Sequence, residues 1–339
     1  MVTLKDIAKQ CGVSVASVSK AINHMPGVGP QTAQRIRDMA RKMGYLPNAA
    51  AQALKTNRSF NIGVLLEDDD RHGLLHHFFV SVLEHFKMAM EEMGYDLMLM
   101  NRTIGRRTVS YLEHCRHSNL DGVFVACIDF FHPELQELAA AGIPLVSIDH
   151  TYKGHPSVYS DNVEGIRKAV KYAHKLGHRR IAYISGAPAG VTARREEGFR
   201  MAMAQLGLEV PQEYRVFSRY RDIKLTQKAT ARLLALPTPP TCILMPDDYA
   251  SLGGIKAIRE AGLRIPEDIS IIGFDGLPTF EHAHPRICTV YQDVKTIGTE
   301  AARLLLQRIE NKAQPFEESP VIVPVRLVKG DTVAQIAES

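Results

Sequence analysis

Apolar positions follow two different rhythms along this chain. Between Leu4 and Met43 they recur three and four residues apart: Leu4, Ile7, Ala8 and Cys11, then Val18, Ala21 and Ile22, then Ile36, Met39, Ala40 and Met43. Each stripe predicts a short amphipathic helix. Thr3 with Asp6 forms a variant capping box, Gly12 ends the first helix, Ser14 caps the second, and Gly44 closes a third over about Gln31–Met43. From Asn61 onward the rhythm changes to short, continuous apolar runs: NIGVLL, YDLMLMN, DGVFVAC, IPLVSID, RRIAYISG, TCILMP, DISIIGF and ICTVY. Between them lie helical stretches at about 78–93, 108–118, 133–141, 164–176, 193–206, 224–236, 249–262 and 294–310. Such alternation predicts parallel sheets covered by helices on both faces. The stretch is too long for one sheet, so two doubly wound subdomains with a cleft between them are expected, closed by two strands within EESPVIVPVRLVKGDTV.

The first two helices, joined through a glycine turn, have the helix-turn-helix pattern, whose second helix enters the DNA major groove. Val15, Ala16, Ser17, Ser19 and Lys20 remain off its packing stripe. Small apolar side chains there suit a thymine methyl, and Lys20 suits the acceptors of a guanine edge. A helical hairpin without a ligand has the same spacing. Thr32 and Arg35, near the start of the third helix, could hold a phosphate. Asn48 can cap a helix over Ala49–Lys55, an alanine-rich stretch far too short to stand alone in water. That segment should order only against a partner, unless it is an ordinary linker with an incidental leucine.

Charge sharpens the division. Net charge is +4, but residues 1–60 hold nine Lys/Arg against two Asp/Glu, leaving a basic head of +7 on a body of −3. Five scattered cysteines (Cys11, Cys115, Cys127, Cys242, Cys288) without a CxxC pair suggest a reducing compartment and no disulfide framework. The polar start leaves no room for a signal peptide, and no apolar run is long enough to span a bilayer; a cytoplasmic, nucleoid-associated location is expected. No dinucleotide-binding glycine motif, P-loop, HExxH or GxSxG is present, so an enzyme is not expected.

The stretch TLKDIAKQCGVSVASVSKAIN resembles the N-terminus of the lactose/galactose repressor (LacI/GalR) family of bacterial transcription regulators. Further landmarks are YSDNVEG (159–165), HKLGHRRIAYISG (174–186), ARREEGFRMAM (193–203), MPDDYASLGGIKAI (245–258) and SIIGFDG (270–276). The resemblance implies an all-α helix-turn-helix head plus an α/β sensor of two doubly wound parallel-sheet subdomains, similar to periplasmic binding proteins. Expected boundaries are 1–47 for the head, 48–60 for a hinge helix and linker, and 61–339 for the sensor. Within the sensor, about 61–161 with 292–322 forms one subdomain and about 162–291 with 323–339 the other.

By the same resemblance Val15, Ala16 and Lys20 read bases, lysine standing where the family more often has arginine. Ser14, Ser17, Asn23, Thr32, Arg35, Asn48 and Lys55 complete the expected DNA contacts, and Leu54 is the hinge wedge in the minor groove. Gln52 stands where arginine is usual. Arg195 and Asp275 are expected to reach a small ligand, with Asp247 in place of the family's asparagine. Phe78, Phe79 and Tyr220 are aromatic candidates, core packing being the alternative for the phenylalanines. The segment EDDDRHGLLHHFF (67–79) could be read as a metal site, although a solvated loop at the cleft mouth fits better, so no metal and no cofactor is expected. The expected protein is a repressor whose affinity for a pseudo-palindromic double-stranded operator answers to a small effector, most simply a sugar. It acts as a homodimer without leucine heptads and without membrane association. The rival reading is a cytoplasmic sugar-binding protein or enzyme with an incidental basic head.

Overall fold

The computed structural model describes residues 2–46, 58–66, 73–282, 284–311 and 319–336. Asn48, Gln52, Leu54 and Lys55, and the acidic part of the 67–79 segment up to His72, lie outside the described residues. The chain divides into two compact units, Met1–Ser59 and Phe60–Ser339.

The first unit is a three-helix head: α1 (Leu4–Cys11), α2 (Val15–Ile22) and α3 (Pro30–Lys42). The Thr3/Asp6 capping box forms, with the Thr3 amide donating to Asp6 Oδ2 at 2.8 Å. Gly12 takes the left-handed conformation (φ 63°) that ends α1 with little steric cost to a glycine. The Ser17 amide donates to Ser14 Oγ at 3.0 Å, which starts α2. Pro30 opens α3 at a position where a missing N–H costs nothing. Ile7, Val18 and Ile36, one from each helix, are fully buried together.

In the second unit two six-stranded sheets carry the strands. The first has the order β13-β7-β6-β5-β1-β2 and is wholly parallel: β1 (Asn61–Leu66), β2 (Asp96–Leu99), β5 (Gly122–Ala126), β6 (Leu145–Ile148), β7 (Ser157–Ser160) and β13 (Val321–Val323). The second has the order β14-β12-β11-β10-β8-β9: β8 (Ile181–Ser185), β9 (Arg215–Phe217), β10 (Cys242–Leu244), β11 (Ser270–Asp275), β12 (Cys288–Gln292) and β14 (Val325–Val328). Helices α4 (His77–Glu92) and α11 (Val294–Glu310) pack against one face of the first sheet, and α5 (Tyr111–His117) and α6 (Pro133–Ala140) against the other. On the second sheet α7 (Asn162–Lys175) and α8 (Gly190–Gln205) cover one face, α9 (Ile223–Leu234) and α10 (Asp248–Glu260) the other.

Two features differ from the sequence-based expectation. Strand β14 runs antiparallel to β12, so the second sheet is not wholly parallel. Only Pro324 separates β13 from β14, and Val325 pairs with Gln292 at the carboxyl end of β12. A strand that leaves one sheet and enters the next at its carboxyl edge, with no helix to turn it round, must run against its new neighbours. The helix expected at 108–118 starts later, at Tyr111. Thr108, its expected first residue, instead ends a short hairpin, β3 (Thr103–Ile104) with β4 (Arg107–Thr108), and Ser110 with Glu113 makes a capping box that sets the start.

The chain passes between the sheets at three places: β7 to α7, β12 to α11, and β13 to β14. The two helices that begin there are capped by aspartates, the Glu164 amide donating to Asp161 Oδ1 and the Thr296 amide to Asp293 Oδ1, each at 3.1 Å. Asn162 and Gln292 lie next to those caps.

Candidate functional site

On the head, Val15 (40% exposed), Ala16 and Lys20 form the solvent face of α2. Ser14 and Ser17 are bound to one another, hydroxyl to hydroxyl at 2.9 Å, and Asn23 donates from Nδ2 to the Ser19 carbonyl at 2.6 Å. Thr32 is half-buried and Arg35 exposed, with Arg35 Nη2 donating to the Cys11 carbonyl at 3.0 Å. Arg37 does the same for the end of α2, Nη1 donating to the Ala21 carbonyl at 3.3 Å. The guanidiniums of Arg35 and Arg37 therefore cap α1 and α2, a favourable place for a cation, in addition to any contact outside the fold.

The second cluster forms where the carboxyl ends of the two sheets meet. Gly198 lets α8 lie close against α7, since a Cβ there would collide with the Val163 carbonyl oxygen. One turn earlier on the same helix face, Arg195 is carried into the interior. Its Nε donates to Asn162 Oδ1 at 2.7 Å and its Nη1 to the Pro246 carbonyl at 2.9 Å. Its guanidinium lies 3.6 Å from the Phe274 ring centroid and 5.3 Å from that of Tyr220, and Nη2 is 3.9 Å from Asp275 Oδ1. Asp275, the last residue of β11, sits at φ 111°, a strained angle for a non-glycine residue. It accepts a 2.8 Å bond from Gln292 Nε2. The Tyr220 hydroxyl is 2.9 Å from the Thr192 hydroxyl, its ring against Gly186 at the end of β8.

From the first sheet come Asp149, just past β6, and Tyr159 on β7, whose ring lies 4.4 Å from the Arg194 guanidinium across the junction. His77 and Tyr249 make a second bridge, ring centroids 6.3 Å apart.

Burial dominates the electrostatics. It lifts the Asp149 carboxyl to about 6 against the pull of Arg195 and Arg194. Burial, and then the charge of Asp247, raises Asp275 well above the ordinary carboxylate range, with Arg195 opposing. Asp248, fully buried, is pushed to about 7 by burial although Thr289 and the Leu277 and Gly276 amides bond to it. Desolvation works against the charge of Arg195, but Tyr220, Asp275, Tyr183 and Asp149 together outweigh it and keep the guanidinium charged.

Of the expected ligand residues, Arg195, Tyr220 and Asp275 come together here. Phe78 does not: at 4% exposure it belongs to the core under the first sheet, because the first turn of α4 directs it there beside Val82 and Phe86. Phe79 is half-buried, its ring 5.0 Å from that of Phe78 and 4.6 Å from His76. Asp247 is the cap of α10, and both its oxygens are taken, by the Ala250 amide at 2.6 Å and the Arg221 amide at 2.7 Å. Sequence reading passed over Asp149, Asn162, Asp248 and Gln292. Asn162 and Gln292 carried a signal, an amide adjoining an aspartate cap where the alternation of elements changes sheets. Asp149 lay in plain view at the end of IPLVSID.

A helix-turn-helix head in one chain with two doubly wound subdomains sharing a buried polar cluster is the build of a DNA-binding regulator that carries a small-molecule receptor. Comparison with known proteins agrees. Residues 3–48 match the family described as bacterial regulatory proteins, lacI family, and residues 170–333 match the periplasmic binding protein-like domain. The chain is 31% identical to the HTH-type transcriptional repressor PurR of Pasteurella multocida, over 97% of this chain and 99% of that one. It is 32% identical to the probable HTH-type transcriptional repressor ExuR of Bacillus subtilis, over 94% and 96%. Among solved structures, the Lac repressor dimer bound to operator and the anti-inducer ONPF superposes with a TM-score of 0.82 at 23% identity, over 98% and 99%. This chain belongs to the LacI family of bacterial regulatory proteins. Those relatives are transcriptional repressors, not enzymes. Among the described residues no helix is long and apolar enough to cross a membrane.

Proposed function

We propose that this chain represses transcription from the cytoplasm as a homodimer on a pseudo-palindromic operator, and that a small polyol-like effector at the sheet junction sets its affinity for DNA. The observation that carries the reading is the Arg195–Asp275 pair, each member tied to a residue of a different crossover: Arg195 to Asn162, Asp275 to Gln292. A ligand that engages this pair acts on two of the three strands of chain about which the subdomains would hinge. Cation and carboxylate together suit hydroxyls, which both donate and accept, and Tyr220 offers an aromatic face. The ligand then shifts the population between arrangements of the subdomains, and so the geometry offered to the hinge segments of the dimer.

On the DNA side Val15, Ala16 and Lys20 read bases, while Ser14, Ser17, Asn23, Thr32 and Arg35 hold the backbone. By the family resemblance Asn48, Leu54 and Lys55 also contact the DNA, Leu54 as a minor-groove wedge. The test is an effector titration into the protein–operator complex after a thermal-shift screen. Coupling of about 1–3 kcal/mol changes operator affinity about 5- to 150-fold. Arg195→Ala should abolish that response and leave operator binding in place. An unchanged response in this variant overturns the assignment of the junction.

A further inference from the structure

Among the described residues the junction leaves two buried acceptors without a donor, beside buried Ser160 and Tyr183 hydroxyls that also lack partners. Asp149 Oδ1 is shut off from water and has no hydrogen-bond partner among the described residues, although the Ser160 amide favours the charged carboxyl. Gln292, 2% exposed, spends its Nε2 on Asp275 and leaves Oε1 buried with no donor among the described residues. Arg195 cannot make up the deficit: Nε and Nη1 are committed to Asn162 and the Pro246 carbonyl, and Nη2 stands 3.9 Å from Asp275. Asp247 adds to the excess. Asparagine caps a helix as well as aspartate does, whereas the Asp247 carboxylate also accepts the Arg221 amide and brings negative charge to bear on Asp275. That charge is second only to burial in raising the Asp275 carboxyl. The other nearby cations, Arg194 and Arg221, are half-buried, with guanidiniums 4.4 Å and 5.7 Å from the ring centroids of Tyr159 and Tyr249.

We propose that the effector is a polyhydroxylated amine, an amino sugar in the simplest case, whose ammonium is received among Asp149, Asp275 and the free Gln292 oxygen. This rests on the effector reading above and narrows it. An ammonium brings three donors, one positive charge and no acceptor, whereas a neutral sugar hydroxyl brings one donor with two lone pairs into an acceptor-rich site. Leaving a buried acceptor unpaired is costly, so the site should discriminate against the amine-free analogue more strongly than a solvated one would.

The experiment is calorimetric titration and thermal shift of the full-length protein with glucosamine, galactosamine and mannosamine, each beside its parent hexose and its N-acetyl derivative. At least one free amine should bind about tenfold or more tighter than both neutral partners. Asp247→Asn, which keeps the α10 cap, should reduce that preference to about threefold or less with the neutral partner little changed. A melting transition like that of the parent protein shows that the variant folds. Equal or tighter binding of the neutral sugars, or no binding of any amine, overturns the proposal. A neutral sugar that binds and alters operator affinity would overturn the amine and leave the effector reading standing. An amine that binds without altering operator affinity would support the ligand class and overturn the effector role.

Discussion

In the head, the capping side chains find partners nearby in sequence, Thr3 with Asp6, Ser14 with Ser17 and Asn23 with Ser19, each three or four residues away, while the arginines Arg35 and Arg37 reach further, 24 and 16 residues. At the sheet junction polar side chains reach across the chain. Arg195 bonds to Asn162 and Pro246, 33 and 51 residues off, and Asp248 bonds to Thr289, 41 residues off. The head's capping carboxyl is fully exposed, and the hydrogen bonds from Thr3 hold Asp6 below the usual range. The junction's carboxyls are buried and pushed above it. A reading face must stay solvated until DNA replaces the water, so its polar groups cap helices and leave the outer surface free. A receptor for a small ligand concentrates unsatisfied groups where water is scarce, and the rest of the fold must hold them there.

The largest test of this contrast is Asp248→Ala. Its carboxylate accepts from the Thr289 hydroxyl at 2.6 Å and from the Gly276 and Leu277 amides at 2.8 and 2.9 Å, fixing the loop after β11. Removing it orphans two buried donors and one half-buried donor and should cost the sensor about 3 kcal/mol, read as a lower denaturation midpoint. Amide exchange in α1–α3 should stay unchanged.

Next in size, Lys20→Ala should weaken specific operator binding by about 1–3 kcal/mol and relax preference at one symmetric pair of bases. Effector binding to free protein should not move. A loss uniform over all DNA sequences would recast Lys20 as a phosphate contact.

Ser14→Ala removes a single local cap and should cost the head about 1 kcal/mol. Faster amide exchange at the start of α2, with none at the junction, would sharpen the contrast.

The last test is a difference of sign with pH. Asp149 titrates at about 6 in the folded chain against an ordinary 3.8. Between those values the folded state holds the extra proton, so this group's contribution falls as pH rises and is spent above about 6. Asp6 is shifted the other way. The head keeps its contribution above the ordinary carboxylate range and loses it as the solution is acidified. Melting curves of Asp149→Asn should show a shallower loss of sensor stability over that window, and Asp6→Asn a shallower acid loss in the head. Matching slopes in the two regions would remove the electrostatic side of the comparison.

The elements themselves were largely legible. The third head helix, expected at about Gln31–Met43, runs Pro30–Lys42, and the run NIGVLL is β1 residue for residue. The misread start of α5 came from missing the Ser110/Glu113 cap. The cleft was half legible. Arg195 and Asp275 were reachable only through family resemblance, and a sequence does not say that both Asp247 oxygens are spent on the Ala250 and Arg221 amides. Phe78 was ambiguous for a related reason, since a helix start places neighbouring rings on different faces and the packing chooses between them.

Local physics acts over a few residues, so the sequence alone determined the caps, the apolar periods, the helix-turn-helix turn and the division into a basic head and an alternating α/β body. Only the tertiary structure decided that β14 enters the second sheet backwards, that the second Asp247 oxygen meets the Arg221 amide, and that Asn162 and Gln292 at two separate crossovers secure Arg195 and Asp275. Those outcomes depend on which distant groups exclude water from one another. Desolvation is a property of the packed chain and has no counterpart in the order of its residues.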